Sequence, residues 1–96
     1  MLCSILISNF NKSKYLKKCL NSVVNQTYKN IEVIFSDNDS DDDSIQIASK
    51  FKNIKIITTP RLTDFPALNQ ISVIFRAFDI SKGNLIFLLD SDDFFE

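Results

Sequence analysis

Ninety-six residues make one small domain or part of a larger one, and a chain of this size buries roughly 65% of the surface its unfolded form exposes. A hydrophobic content of 45% with nine Phe argues for a globular chain, and a net charge of −1 offers no general attraction to nucleic acid or anionic membranes. With no His and two widely separated cysteines there is no zinc-type cluster, and a single Gly excludes the Gly-rich phosphate loops.

LCSILIS, residues 2 to 8, is an apolar run that reads as a buried strand ending at Asn9. Leu16, Cys19, Leu20, Val23 and Val24 then fall on one face of a helix, with Asn11 or Ser13 able to cap its start and Lys12, Lys14, Lys17 and Lys18 off that face, reading as a solvated surface. Cys3 and Cys19 sit among apolar neighbours and read as buried free thiols. Gln26, Thr27 and Tyr28 read as turn and packing residues. IEVIF, residues 31 to 35, is the second strand, with Glu32 pairing on the sheet rim. A short helix carrying Ile45, Ala48 and Phe51 follows Asp41 to Asp43, which suit its N-terminus.

IKIITT, residues 54 to 59, is a third strand, ended by Pro60. Arg61, in the loop that follows, could reach a phosphate, but reads first as a surface residue. Pro66 opens a helix over about residues 66 to 81. Leu68, Ile71, Phe75 and Phe78 form its main stripe, with Val73, Ile74 and Ala77 beside it, so the helix is expected to be buried on more than one side or to cover an interface. Gly83 fits just past its end. LIFLL, residues 85 to 89, is a fourth buried strand. The β-α-β-α-β-α-β order, with strands apolar throughout, predicts an α/β fold with a parallel, Rossmann-like sheet covered on both faces.

Eight of the twelve acids fall in two clusters, Asp37 to Asp43 and Asp90 to Asp93. In an open parallel sheet, ligands bind beyond the carboxyl ends of the strands. That brings together Ser8, Asn9, Phe10 and Asn11, then Asp37, Asn38, Asp39 and Ser40, then Asp90, Ser91, Asp92 and Asp93. Mg²⁺ is usually held by one or two carboxylates, with waters and substrate phosphates in its other places. Asp90-x-Asp92 at a strand end supplies that number of oxygens, and a diphosphate can bridge to such a cation. Phe10 can stack on a base, and Asp37 or Asn38 can hydrogen-bond a base edge or a ribose.

Two other α/β or acidic-loop readings fail at two positions each. An EF-hand loop starting at Asp37 needs Gly and Glu where Asp42 and Ala48 stand. A receiver-type phosphoacceptor needs acids after the first strand, where Asn9 and Asn11 stand. A non-catalytic nucleotide-binding or assembly module stays open as the alternative to an enzyme.

SILISNFN (4 to 11), the segment 16 to 44 running through Gln26-Thr27-Tyr28 to the acidic loop, and SKGNLIFLLDSDD (81 to 93) together resemble the N-terminal half of a family 2 glycosyltransferase domain of the GT-A fold. The resemblance implies that Ser8 and Phe10 contact the donor's base, that Asp37 and Asn38 read base and ribose, and that Asp92 binds the metal directly. Asp90 then lies nearer the ribose or a metal-bound water. It implies transfer of a sugar from a nucleotide-diphosphate sugar, UDP-linked by preference, to a hydroxyl of a glycan or lipid-linked acceptor, with Mn²⁺ or Mg²⁺ as cofactor. No nucleic-acid partner is implied, while peripheral membrane association and homo-oligomerisation stay open.

The sequence departs from the family pattern at three places. Asn38 stands where a second acid is frequent, Asp39 where Gly is common, and Ile74-Phe75 where the third helix commonly carries Arg-Asn. The family's catalytic base and acceptor site follow its Asp-x-Asp, so they are expected beyond Glu96, and the 96 residues read as a donor-binding part that does not transfer sugar alone. The N-terminus has no basic stretch before its apolar run, and no run nears the roughly 20 residues needed to span a bilayer. A cytoplasmic location is expected.

Overall fold

The computed structural model describes residues 1–25 and 30–92. The turn expected at Gln26, Thr27 and Tyr28, and Asp93 of the second acidic cluster, lie outside the described residues. The elements are β1 (Cys3–Asn9), α1 (Ser13–Val24), β2 (Ile31–Asp37), α2 (Ser44–Ser49), β3 (Ile54–Thr58), α3 (Pro66–Ile80) and β4 (Leu85–Asp90). The strands form one parallel sheet in the order β3-β2-β1-β4, and no helix is long and apolar enough to cross a membrane among the described residues.

Period-2 alternation sorts the strand residues between two faces. Cys3, Ile5 and Ile7 of β1 and Val33 and Phe35 of β2 meet Leu16, Cys19, Leu20 and Val23 of α1 and Ala48 of α2. Leu6 and Ile34 point the other way, to Ala77 of α3. Both cysteines are buried free thiols, and burial pushes the Cys3 thiol up from its ordinary pKa. Val24, expected on the buried face of α1, is exposed. It is the last residue of the helix, next to the fully buried Val23.

The α3 face departs further from expectation. The buried side chains of α3 are Asn69, Val73 and Ala77, spaced i, i+4, i+8. The main stripe expected from the sequence, Leu68, Ile71, Phe75 and Phe78, is exposed, Phe75 by 67%. A short inner stripe is selected by its fit. Ser36 Oγ donates to the Val73 carbonyl (2.8 Å), and the Asn69 amide accepts from Leu62 N–H (3.0 Å) and donates to the Thr63 carbonyl (2.8 Å). That amide holds the loop leading into α3.

β4 is also not the buried strand expected. It pairs with β1 at the sheet edge, and Leu85, Phe87 and Leu88 are exposed. Gly83 does not cap α3 in a left-handed conformation; the described residues contain no Gly with positive φ. Its role is spatial. Its N–H donates to Ser4 Oγ (2.9 Å), and a Cβ built there would lie 2.6 Å from the Ser4 nitrogen. Glu32 lies beside it, as the rim reading expects, accepting from Ser4 Oγ (2.6 Å) and Lys82 N–H (2.9 Å).

Candidate functional site

The register aligns the carboxyl ends of the strands, pairing Ser8 with both Ser36 and Asp90, Asn9 with Asp37, and Asp37 with Thr58. The strand order reverses between β1 and β4, and a crevice opens at that switch point. The cavity there has a volume of about 330 Å³ and is bordered by Ser8, Asn9, Phe10, Asn38, Arg61 and Asp90, with Lys12 and Gln70 at its walls. This lies at the lower end of the range for small-molecule sites, about 300–1,000 Å³.

The β1–α1 and β2–α2 loops are tied together. Asp37 is buried, and its carboxylate accepts from Asn9 Nδ2 (2.7 Å), Ser40 Oγ (2.6 Å) and Ser40 N–H (2.8 Å). Asn11, at φ 52°, donates its N–H to Ser40 Oγ and accepts from Asp41 N–H. Asp39 takes φ 58°, a left-handed turn that Asp tolerates better than most residues. Asp42 completes the clamp. Its Oδ2 accepts from Ser13 N–H at the start of α1 (3.0 Å), and its Oδ1 from Ser44 N–H and Ser44 Oγ at the start of α2.

One acid therefore satisfies both helix starts, where the sequence suggested Asn11 or Ser13 for α1 and the whole Asp41 to Asp43 run for α2. Lys12 and Asp43 hold the cap positions without side-chain cap bonds. Burial disfavours the charged form of Asp42, yet the bonds from Ser44 and Ser13 outweigh it and hold the carboxyl below its ordinary pKa.

Asp37 and Asn38 were expected to face one ligand together. Consecutive residues at a strand end point to opposite faces, and they do so here. Asp37 turns into the loops on the α1 side, outside the cavity lining, while Asn38 turns to the α3 side and lines the cavity. Its Nδ2 donates to the carbonyls of Thr59 (3.0 Å) and Pro60 (3.4 Å), which fixes the amide so that Oδ1 is the acceptor presented toward Arg61 Nη1 (3.4 Å).

Arg61, read as a surface residue, is part of this wall. Its guanidinium carbon sits 3.9 Å from the centre of the Phe10 ring, a cation–π stack. Neither strand periodicity nor a motif singles it out, because it enters from an irregular loop after β3. Gln70 was also missed. From α3 its Nε2 lies 3.4 Å from both Ser8 Oγ and Asp90 Oδ2. Ile74, one turn later, borders a smaller cavity beside Asp90, and Phe75 is exposed, so these two positions are apolar where the resemblance has Arg-Asn. Asn9, also in the lining, keeps a buried side-chain oxygen with no partner among the described residues.

Asp90 Oδ1 accepts from Ser91 N–H (2.8 Å), and its other oxygen faces Gln70. Asp92 stands outside the cavity lining, half exposed, and pairs with Lys12 Nζ at 3.6 Å. Among the described residues no three His, Cys, Asp or Glu side chains gather to hold a metal. Two hard carboxylates one residue apart suit a cation that takes its remaining oxygens from phosphate and water, and an ammonium group already sits on Asp92 as a stand-in for such a charge.

The model of Glycosyl transferase family 2 matches residues 4–96. The chain belongs to that family. It is 37% identical over 93 residues to the Escherichia coli UDP-Glc:alpha-D-GlcNAc-diphosphoundecaprenol beta-1,3-glucosyltransferase WfaP, covering 97% of this chain and 36% of that protein. The solved structure of S. aureus TarS 1–349 in complex with UDP superposes with a TM-score of 0.83 at 26% identity, over 98% of this chain and 28% of that one. The mannosyltransferase PcManGT from Pyrobaculum calidifontis, solved with GDP-Man and Mn²⁺, superposes over 97% of this chain and 28% of its own, with a TM-score of 0.75 at 15% identity, a likeness of fold alone. The chain thus spans between 28% and 36% of the length of these three proteins. The expected GT-A-type α/β fold and family-2 membership both stand.

Proposed function

We propose that this chain is the donor-binding part of a glycosyltransferase that moves a sugar from a nucleotide-diphosphate sugar, UDP-linked, to an acceptor hydroxyl. The observation that carries this reading is the convergence, on one cavity at the switch point, of a stacked aromatic, a fixed amide acceptor and a strand-end carboxylate: Phe10 with Arg61, Asn38, and Asp90. Phe10 and Arg61 offer a platform for a base. Asn38 Oδ1 offers an acceptor for a ring N–H, as a carboxylate would. Ser8 and Asp90, paired in register on β1 and β4, take the ribose side. Asp37 acts behind the site, holding the two loops that shape it.

Asp90 and Asp92 would hold Mn²⁺ or Mg²⁺, which supplies Lewis-acid stabilisation of the leaving diphosphate. UDP as the donor nucleotide is supported by TarS, solved with UDP, and by the WfaP name, which gives UDP-Glc. The WfaP name also supports a lipid-linked acceptor. A cytoplasmic site of action fits a soluble donor of this kind.

Calorimetry of UDP with Mn²⁺, Mg²⁺ or EDTA, on the folded protein and on Asp92→Ala, tests the reading. Metal-dependent binding that Asp92→Ala weakens is expected. Failure of the folded protein to bind UDP under any condition contradicts the donor site, and equal binding in EDTA contradicts the metal role.

A further inference from the structure

Two cationic side chains border the cavity, and they are held differently. Arg61 is committed to the base end, stacked on Phe10 and directed at Asn38 Oδ1. Lys12 also lines the cavity, paired with Asp92 at 3.6 Å, with both side chains about 40% exposed (42% and 38%). That separation exceeds hydrogen-bond length, so charge alone holds the pair, and an exposed pair of this kind is weak and readily exchanged.

The root of Lys12 is fixed. Asn11 before it is bonded to Ser40 and Asp41, and Ser13 after it to Asp42. A flexible four-carbon arm therefore extends from a rigid base beside the cavity. The ammonium on Asp92 also occupies the carboxylate that a divalent cation would use, and two positive charges compete for one acid. The positions where the resemblance has Arg-Asn beneath the diphosphate carry Ile74 and Phe75 instead, so α3 supplies no cation there.

We propose that Lys12 is a diphosphate-binding arm of this site, held on Asp92 and released to the phosphates when Asp92 takes a divalent cation. The proposal rests on the nucleotide-diphosphate reading above and adds to it a named residue and a direction of coupling. Lys12 opposes binding of the cation alone and favours binding of nucleotide and cation together. By linkage, the two ligands then strengthen each other more in the native protein than in a variant without this charge.

Calorimetry on the wild type, Lys12→Met and Lys12→Arg, with Mn²⁺ alone, uridine alone, and UDP with Mn²⁺, tests it. Lys12→Met keeps the aliphatic stem and removes the charge, and no side-chain cap bond is lost with it. Removing the competing charge should tighten Mn²⁺ alone by about threefold. Losing a charge-assisted phosphate contact should weaken UDP with Mn²⁺ by about tenfold. Uridine, which has no phosphate, should bind wild type and Lys12→Met alike, and Lys12→Arg should restore UDP binding. The proposal is overturned if Lys12→Met binds UDP as the wild type does, if uridine weakens as much as UDP, or if Mn²⁺ alone is not tightened. Wild-type protein that binds neither uridine nor UDP removes the nucleotide reading itself, a distinct result.

Discussion

The two faces of the sheet are built to different standards. On the α1–α2 face, Ile7, Leu16, Cys19, Leu20, Val23, Phe35 and Ala48 are all fully enclosed. On the α3 face the buried cluster is Leu6, Ile34 and Ala77, while Leu68, Ile71, Phe75 and Phe78 look outward and β4 leaves Leu88, the partner of Leu6, exposed. The first face is a packed core. The second combines a thin contact with polar fasteners, and it is the one beside which the cavity opens. Ser8, Asn38 and Gln70 gather there because dense apolar packing has not claimed the space. Stability and ligand chemistry are thus divided between the faces by the two-residue alternation of the strands.

Core truncation gives the largest contrast. Phe35→Ala should lose about 3–5 kcal/mol in urea unfolding, whereas Phe75→Ala on the outer face of α3 should stay within about 0.5 kcal/mol. Equal losses would break the contrast, because they would require Phe75 to be packed. A second measurement sharpens it at the loops of the packed face. Asp42→Ala removes the acceptor shared by the starts of α1 and α2 and should lower stability by about 1–2 kcal/mol, while leaving affinity for uridine intact. On the open face the balance is reversed. Arg61→Ala should weaken UDP by about tenfold, as expected for one lost charged contact on a base, with little change in unfolding midpoint.

The smallest effect is on pH dependence. Burial disfavours ionised Glu32, yet hydrogen bonds from Lys82 N–H and Ser4 and the charges of Lys55 and Lys82 outweigh it and depress its pKa. Asp42 is depressed as well. A carboxyl depressed in the folded state adds stability that is fully present above its unfolded pKa and is lost as pH falls through the folded value. Unfolding midpoints should therefore decline below about pH 4, and Glu32→Gln should flatten part of that decline. An unchanged slope would show that the rim contact carries no such linkage.

The order of elements was legible because each carries its own period, and so was the convergence of Ser8, Asn38 and Asp90, which a parallel sheet imposes on residues following its strands. Three things were not. Asp37 and Asn38 are adjacent in sequence and share a polar character, but the strand turns them to opposite faces. The buried stripe of α3 is less apolar than the exposed one; Asn69 and Val73 are chosen by bonds to Thr63 and Leu62 in the irregular loop just before the helix and to Ser36 on β2, none of which a helical period shows. Arg61 and Gln70 meet Phe10 and Asp90 only in three dimensions, from a loop and a helix that carry no motif.

The central claim is that a nucleotide diphosphate occupies the cavity between Phe10, Asn38, Arg61 and Asp90. Backbone amide NMR of the protein titrated with UDP and Mg²⁺ tests it most directly. Shifts should concentrate at Ser8, Phe10, Asn38, Arg61 and Asp90 and leave Glu32 and the outer face of α3 at Phe75 unmoved. Shifts centred on that outer face, or none at any of the cavity residues with UDP in large excess, would contradict it.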